Sequence, residues 1–181
     1  MARITQRIGF TRYEADEHYK LALDAYRKNR FDTAITHMDD AIILLPTKAE
    51  YYATRGFFYL EDDVKHKALA DFEKALKINR LEMLAHYGRG VIAYQDGNME
   101  EALAHFTDAY KAAPNRPETL YYMALVYHRQ RNNAVAKQWM EQALGLFEAA
   151  DDKRKSDAAR WLKEIERALE TQALPGPGKA L

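Results

Sequence analysis

The chain repeats itself every 34 residues, and no other feature restricts its fold as much. Ala22, Gly56, Gly90 and Ala124 form a row of small residues at that spacing. Ala34, Ala68, Ala102 and Ala136 form a second row, Met38, Phe72, Phe106 and Met140 a third, and Ala41, Ala75, Ala109 and Ala143 a fourth. Each period holds two stretches of helical apolar spacing separated by a short polar turn. A small residue on the first helix lets the second approach closely, and the large Phe or Met fills the space between neighbouring pairs. One such pair cannot bury its own apolar face, so the pairs must stack.

The periodicity predicts helices over 15–28, 31–44, 48–61, 64–78, 82–96, 99–112, 117–130 and 134–147. Pro46 and Pro114 stop the second and sixth, because proline cannot continue a helix and displaces the residue before it from the α region. Pro117 opens the seventh from its first turn, where a missing N–H is harmless. A ninth helix is expected over 152–172. Ala158, Trp161, Leu162, Ile165 and Leu169 make its apolar stripe, and charged residues cover its other side. Such a helix seals the raw apolar end of a stack. Residues 1–14 read as an N-terminal arm, and 174–181, with two prolines and two glycines, as a disordered tail.

The row pattern and the closing prolines resemble the tetratricopeptide repeat family over residues 15–148. The departures are Arg80 and Glu148 in place of the closing proline, Met38 and Met140 in place of Phe, and His18, His86 and Leu120 where an early aromatic is usual; Tyr52 keeps it. The resemblance implies an all-α fold: an α-solenoid, a right-handed superhelix of four helix–turn–helix repeats (15–48, 49–82, 83–116 and 117–150) closed by the ninth, capping helix within a domain of 15–173. It also implies a protein-interaction scaffold rather than an enzyme.

The residues themselves offer no catalytic constellation, metal site or cofactor motif. The chain has no Cys, which excludes disulfides and thiolate chemistry and suits a reducing, cytoplasmic setting. It has no glycine-rich phosphate loop and no His-Glu-x-x-His pair. Ser156 is its only serine, and no two of its six histidines stand four apart on a helix. His86 and His105 are candidates to meet across one helix pair, though packing or surface roles suit them better. No apolar run reaches the roughly 20 residues of a membrane span, and the N-terminus lacks a signal-peptide core.

By the same resemblance, one stripe of each first helix faces a concave groove. Those stripes are Tyr19, Leu23 and Tyr26; Ala53, Phe57 and Leu60; Tyr87, Val91 and Tyr94; and Tyr121, Leu125 and His128. Each triple follows i, i+4, i+7 spacing along one helix face. The row Leu23, Phe57, Val91, Leu125 stands where many members carry an amide that grips a peptide backbone. Apolar side chains there favour an apolar or amphipathic segment of a partner protein. If fully exposed, the four would offer about 6–12 kcal/mol of gross burial. The clamp that holds acidic chaperone C-termini needs basic residues. The matching positions are Tyr19, Leu23, Thr54, Leu84 and Gly88, or one repeat on Ala53, Phe57, Gly88, Glu118 and Tyr122. Neither set is basic, so binding of that kind is not expected. Two other uses compete: self-association into a homo-oligomer, and RNA stacking on the groove tyrosines. The second is disfavoured, since Lys+Arg 27 against Asp+Glu 27 leaves no basic surplus.

Overall fold

A computed structural model describes residues 2–173, with side chains from Phe10 to Gln172. All regular structure among these residues is helical. The order is α1 (Ala2–Arg27), α2 (Phe31–Leu44), α3 (Ala49–Glu61), α4 (Lys65–Ile78), α5 (Met83–Gln95), α6 (Met99–Ala112), α7 (Pro117–Arg129), α8 (Asn133–Ala149) and α9 (Lys155–Ala173). Short turns make α1/α2, α3/α4 and α7/α8 close antiparallel pairs. This is the helix–turn–helix architecture of an α-solenoid. The expected tail at 174–181 lies outside the described residues.

Three helices differ in extent from the expectation, α9 by starting at Lys155 rather than at 152. α1 begins at Ala2 and runs through the segment read as an arm. No capping residue marks that start, so the letters carry no signal for it. α8 continues to Ala149, with Glu148 where the stopping proline would be, whereas α4 ends at Ile78 although Arg80 stands at the same place.

The first-helix turns share one closure. Asn29, Asp63, Gly97 and Arg131 all take positive φ, at 55°, 59°, 83° and 61°. They recur at the 34-residue period. The next residue in each case (Arg30, Val64, Asn98 and Asn132) donates its N–H to the carbonyl five residues back, at 2.8–3.0 Å. Asn29, Asp63, Gly97 and Arg131 themselves donate to the carbonyl three back. This paired closure satisfies carbonyls that a helix end would otherwise leave bare. Asp151, with φ 48°, ends α8 the same way. Asp152 then accepts from the Arg154 N–H at 2.9 Å. That bond and the Arg154 guanidinium, the larger cause, pull its carboxyl down to about 2.

The chain forms two compact units, Met1–Ile92 and Ala93–Leu181, divided within α5. In the first, Ala15, Ala22, Ala25, Ala34, Met38, Ala41, Tyr51 and Phe58 form a buried cluster. The Phe72 ring wedges against two glycines: a Cβ on Gly56 would lie 2.9 Å from it, and one on Gly88 only 2.2 Å. In the second unit the cluster is Leu120, Ala124, Leu125, Ala136, Met140, Ala143, Phe147, Ala158 and Ile165. Every residue of the Ala34, Met38 and Ala41 rows, in all copies, is fully buried.

Candidate functional site

In the first unit the predicted stripe is an aromatic band. Tyr19 stacks on Tyr51 with centroids 5.4 Å apart. Tyr26 stacks on Phe58 at 4.9 Å and meets Phe57 edge-on at 5.9 Å. Phe57 in turn lies 6.5 Å from Tyr87. Tyr19, Leu23, Tyr26, Phe57 and Tyr87 are all half-buried, so each is anchored and still presents surface. Rings need few rotamers frozen to bind, which lowers the entropic penalty of contact.

Carboxylates edge this band. The Tyr19 hydroxyl donates to Glu50 at 3.1 Å, and that of Tyr26 to Glu61 at 3.5 Å. Tyr51 donates to Asp16 at 2.9 Å, and this bond is the main reason the Asp16 carboxyl sits below its usual range. Burial, with the Glu50 charge as a lesser cause, raises the Glu82 carboxyl. Lys48 lies 3.4 Å from Glu50 and 3.5 Å from Asp16. The polar rim of the band is therefore mainly acidic.

In the second unit α9 occupies part of the stripe. Tyr121 donates to Asp157 of α9 at 2.6 Å, and burial together with that bond raises its hydroxyl well above the usual tyrosine value. His128 lies edge-on to Trp161 at 5.9 Å, and its Nδ1 is 2.6 Å from Asn133 Oδ1. Arg129 sits over the Tyr94 ring at 4.4 Å. Tyr121 and His128 thus already have partners within the unit.

The apolar row is narrower than its letters indicate. Val91 is 6% and Leu125 5% exposed, and Leu60 is 9% exposed. These three are packed within the fold, and Ala53 is fully buried. Leu23 and Phe57 alone of the four-residue row keep accessible side chain, which halves the gross burial available to about 3–6 kcal/mol. The signal that the sequence underweighted is the neighbouring helix, whose side chains cover a position of suitable spacing.

One grouping runs against the expectation that no metal-ligating set exists. His18 of α1 meets His37 and Asp40 of α2. His37 and Asp40 stand three apart on one helix face, and His18 arrives from the facing helix, so no single-helix spacing rule finds them. His86 bonds the Arg80 carbonyl at 3.0 Å, and His105 lies 3.7 Å from Glu101.

Helix pairs with buried small–large–small rows define a helical-repeat architecture. Residues 65–117 match the family model described as tetratricopeptide repeat. The chain is 34% identical over 93 residues to a TPR repeat-containing thioredoxin of Arabidopsis thaliana, covering 51% of this chain and 24% of that protein. A thermophilic tetratricopeptide repeat protein of Thermus thermophilus superposes with a TM-score of 0.68 at 18% identity, covering 86% of this chain and 82% of that one. The first tetratricopeptide repeat domain of Spaghetti (RPAP3), bound to the HSP90 peptide SRMEEVD, superposes with a TM-score of 0.59 at 18% identity, over 66% and 94%. Residues 65–117 thus carry a tetratricopeptide repeat match, and the helix pairs share the fold of solved tetratricopeptide repeat proteins. The chain spans only 19–27% of the length of the first curated relatives it matches. None of its described helices is long and apolar enough to cross a membrane.

Proposed function

We propose that the protein is a non-catalytic, cytoplasmic interaction scaffold whose first-helix face takes an amphipathic segment of a partner protein. The aromatic band of Tyr19, Tyr26, Phe57 and Tyr87 carries this reading, because it is anchored by ring stacking while still accessible. Its apolar surface suits the hydrophobic side of such a segment. The acidic edge of Glu50, Glu61 and Glu82 favours basic groups on the other side of the segment and disfavours an acidic tail. This distinguishes the chain from the domain solved with the acidic HSP90 peptide. The test is partner capture from the native source, followed by the Phe57→Asp variant. The variant is expected to lose at least about tenfold in affinity, a charge having replaced a partly desolvated ring. Undiminished binding by a variant with unchanged circular dichroism contradicts the proposal.

Self-association is a second reading, favoured by one observation. Phe10 and Tyr13 are each 65% exposed, and with the exposed Leu21 they share one side of α1. An apolar strip of that kind fits an isologous contact between two copies. Sedimentation equilibrium of the wild-type chain and a Phe10→Asp/Tyr13→Asp variant decides it. A dimer that the variant disrupts supports the reading, and a wild-type monomer at high concentration excludes it.

A further inference from the structure

We propose that His18, His37 and Asp40 bind one divalent transition-metal ion of the zinc class between α1 and α2. His18 Nδ1 lies 3.4 Å from His37 Nδ1 and 3.4 Å from Asp40 Oδ2. All three ligand atoms lie within 4.8 Å of one another. A tetrahedral zinc ion with bonds of about 2.0–2.2 Å holds its ligand atoms about 3.3–3.6 Å apart. Two edges of that tetrahedron are therefore already present, and a small rotation of one ring or carboxylate closes the third.

The same distances make poor hydrogen bonds. An N–H bond to nitrogen or oxygen is ordinarily about 2.7–3.2 Å, and both contacts fall on the single Nδ1 of His18. One nitrogen has at most one proton to donate, so the three groups do not satisfy one another by hydrogen bonding alone. A shared cation engages all of them through lone pairs. The donor set of two imidazoles and one carboxylate selects zinc, cobalt, nickel or copper over magnesium and calcium, which require oxygen ligands.

The scaffold beneath is fixed. Ala15 and Ala22 on α1, and Ala34, Met38 and Ala41 on α2, are fully buried. Sites carried on packed helices hold their ligands closely. The neighbouring Asp39 is engaged elsewhere, by Arg55 at 2.6 Å, which leaves Asp40 to the histidines. His18 and Asp40 side chains are 32% and 46% exposed. That opening gives an ion a way in and leaves the fourth coordination position to water. A bound ion would tie α1 to α2, stabilising the first pair by mass action.

The test uses the full chain, stripped with a chelator, and zinc chloride in isothermal titration. Wild type is expected to bind one equivalent, with a higher melting temperature that excess chelator reverses. His37→Ala and Asp40→Asn should each weaken binding by more than about tenfold, the least expected from losing even an outer-shell partner. Cobalt(II) should give the visible absorption bands of a tetrahedral site in the wild type and not in His37→Ala. His66→Gln, outside the cluster, should titrate like wild type. No zinc binding by wild type overturns the proposal, as does an unchanged equivalent in Asp40→Asn. That half-exposed, near-isosteric change keeps the test valid if His37→Ala fails to fold.

Discussion

Gly88 and Gly145 show how differently one residue type is used at two helical positions. A Cβ added at Gly88 would approach Phe72 Cζ to 2.2 Å, whereas one at Gly145 meets nothing within 4 Å. Gly88→Ala must push a fully buried ring that has nowhere to go, and overpacking of that kind costs about 1–3 kcal/mol. Gly145→Ala, on the exposed side of α8, gains helix propensity and is expected to add about 0.5–1 kcal/mol. Thermal denaturation of both variants should therefore move in opposite directions, and parallel shifts would contradict the close packing around Phe72. The 34-residue rows make the small, fully buried alanines legible in the sequence. Gly88 is not legible, because it belongs to no row and its role depends on which way the Phe72 ring points. The covering of Val91 and Leu125 is hidden for the same reason: spacing fixes the face on which a side chain lies, not what its neighbours leave uncovered.

At the level of elements, helix lengths follow from their stop signals only in part. α2 and α6 end just before Pro46 and Pro114, and α8, with Glu148 at the corresponding place, runs on to Ala149, but α4 ends at Ile78 with Arg80 there. The ends of the first helices depend on a left-handed residue, and here the sequence is uneven. Gly97 suits that conformation, Asn29 and Asp63 tolerate it, and Arg131 does not suit it. Arg131→Gly should relieve the backbone strain and raise stability by about 0.5–1 kcal/mol after the greater entropy of the unfolded glycine is counted. A chemical-denaturation midpoint that falls in this variant would show that the Arg131 side chain contributes more than its backbone loses. α9 was legible as an amphipathic helix of capping type. Its reach across to Tyr121 and His128, through Asp157 and Trp161, was not, since it depends on partners thirty or more residues away.

For the molecule as a whole, the two cores of the first and second units invite separate probes. Both tryptophans, Trp139 and Trp161, lie in the second unit, whereas both units contribute to the helical circular dichroism signal. In a repeat array each helix pair draws its stability from its neighbours. Phe72→Ala, which empties a core position in the first unit, should cost about 3–5 kcal/mol locally. Its denaturation midpoint by circular dichroism should fall further than its midpoint by tryptophan fluorescence; equal falls would mean that the chain unfolds as one cooperative block. The left-handed closures at Asn29, Asp63, Gly97 and Arg131 also bear on how such a chain can change length. A duplication or deletion running from one of these residues to the next carries a complete helix ending with it, whatever the sequence between. A break placed inside a helix carries none. Growth and loss by whole periods is therefore the kind of genetic rearrangement that this fold can absorb.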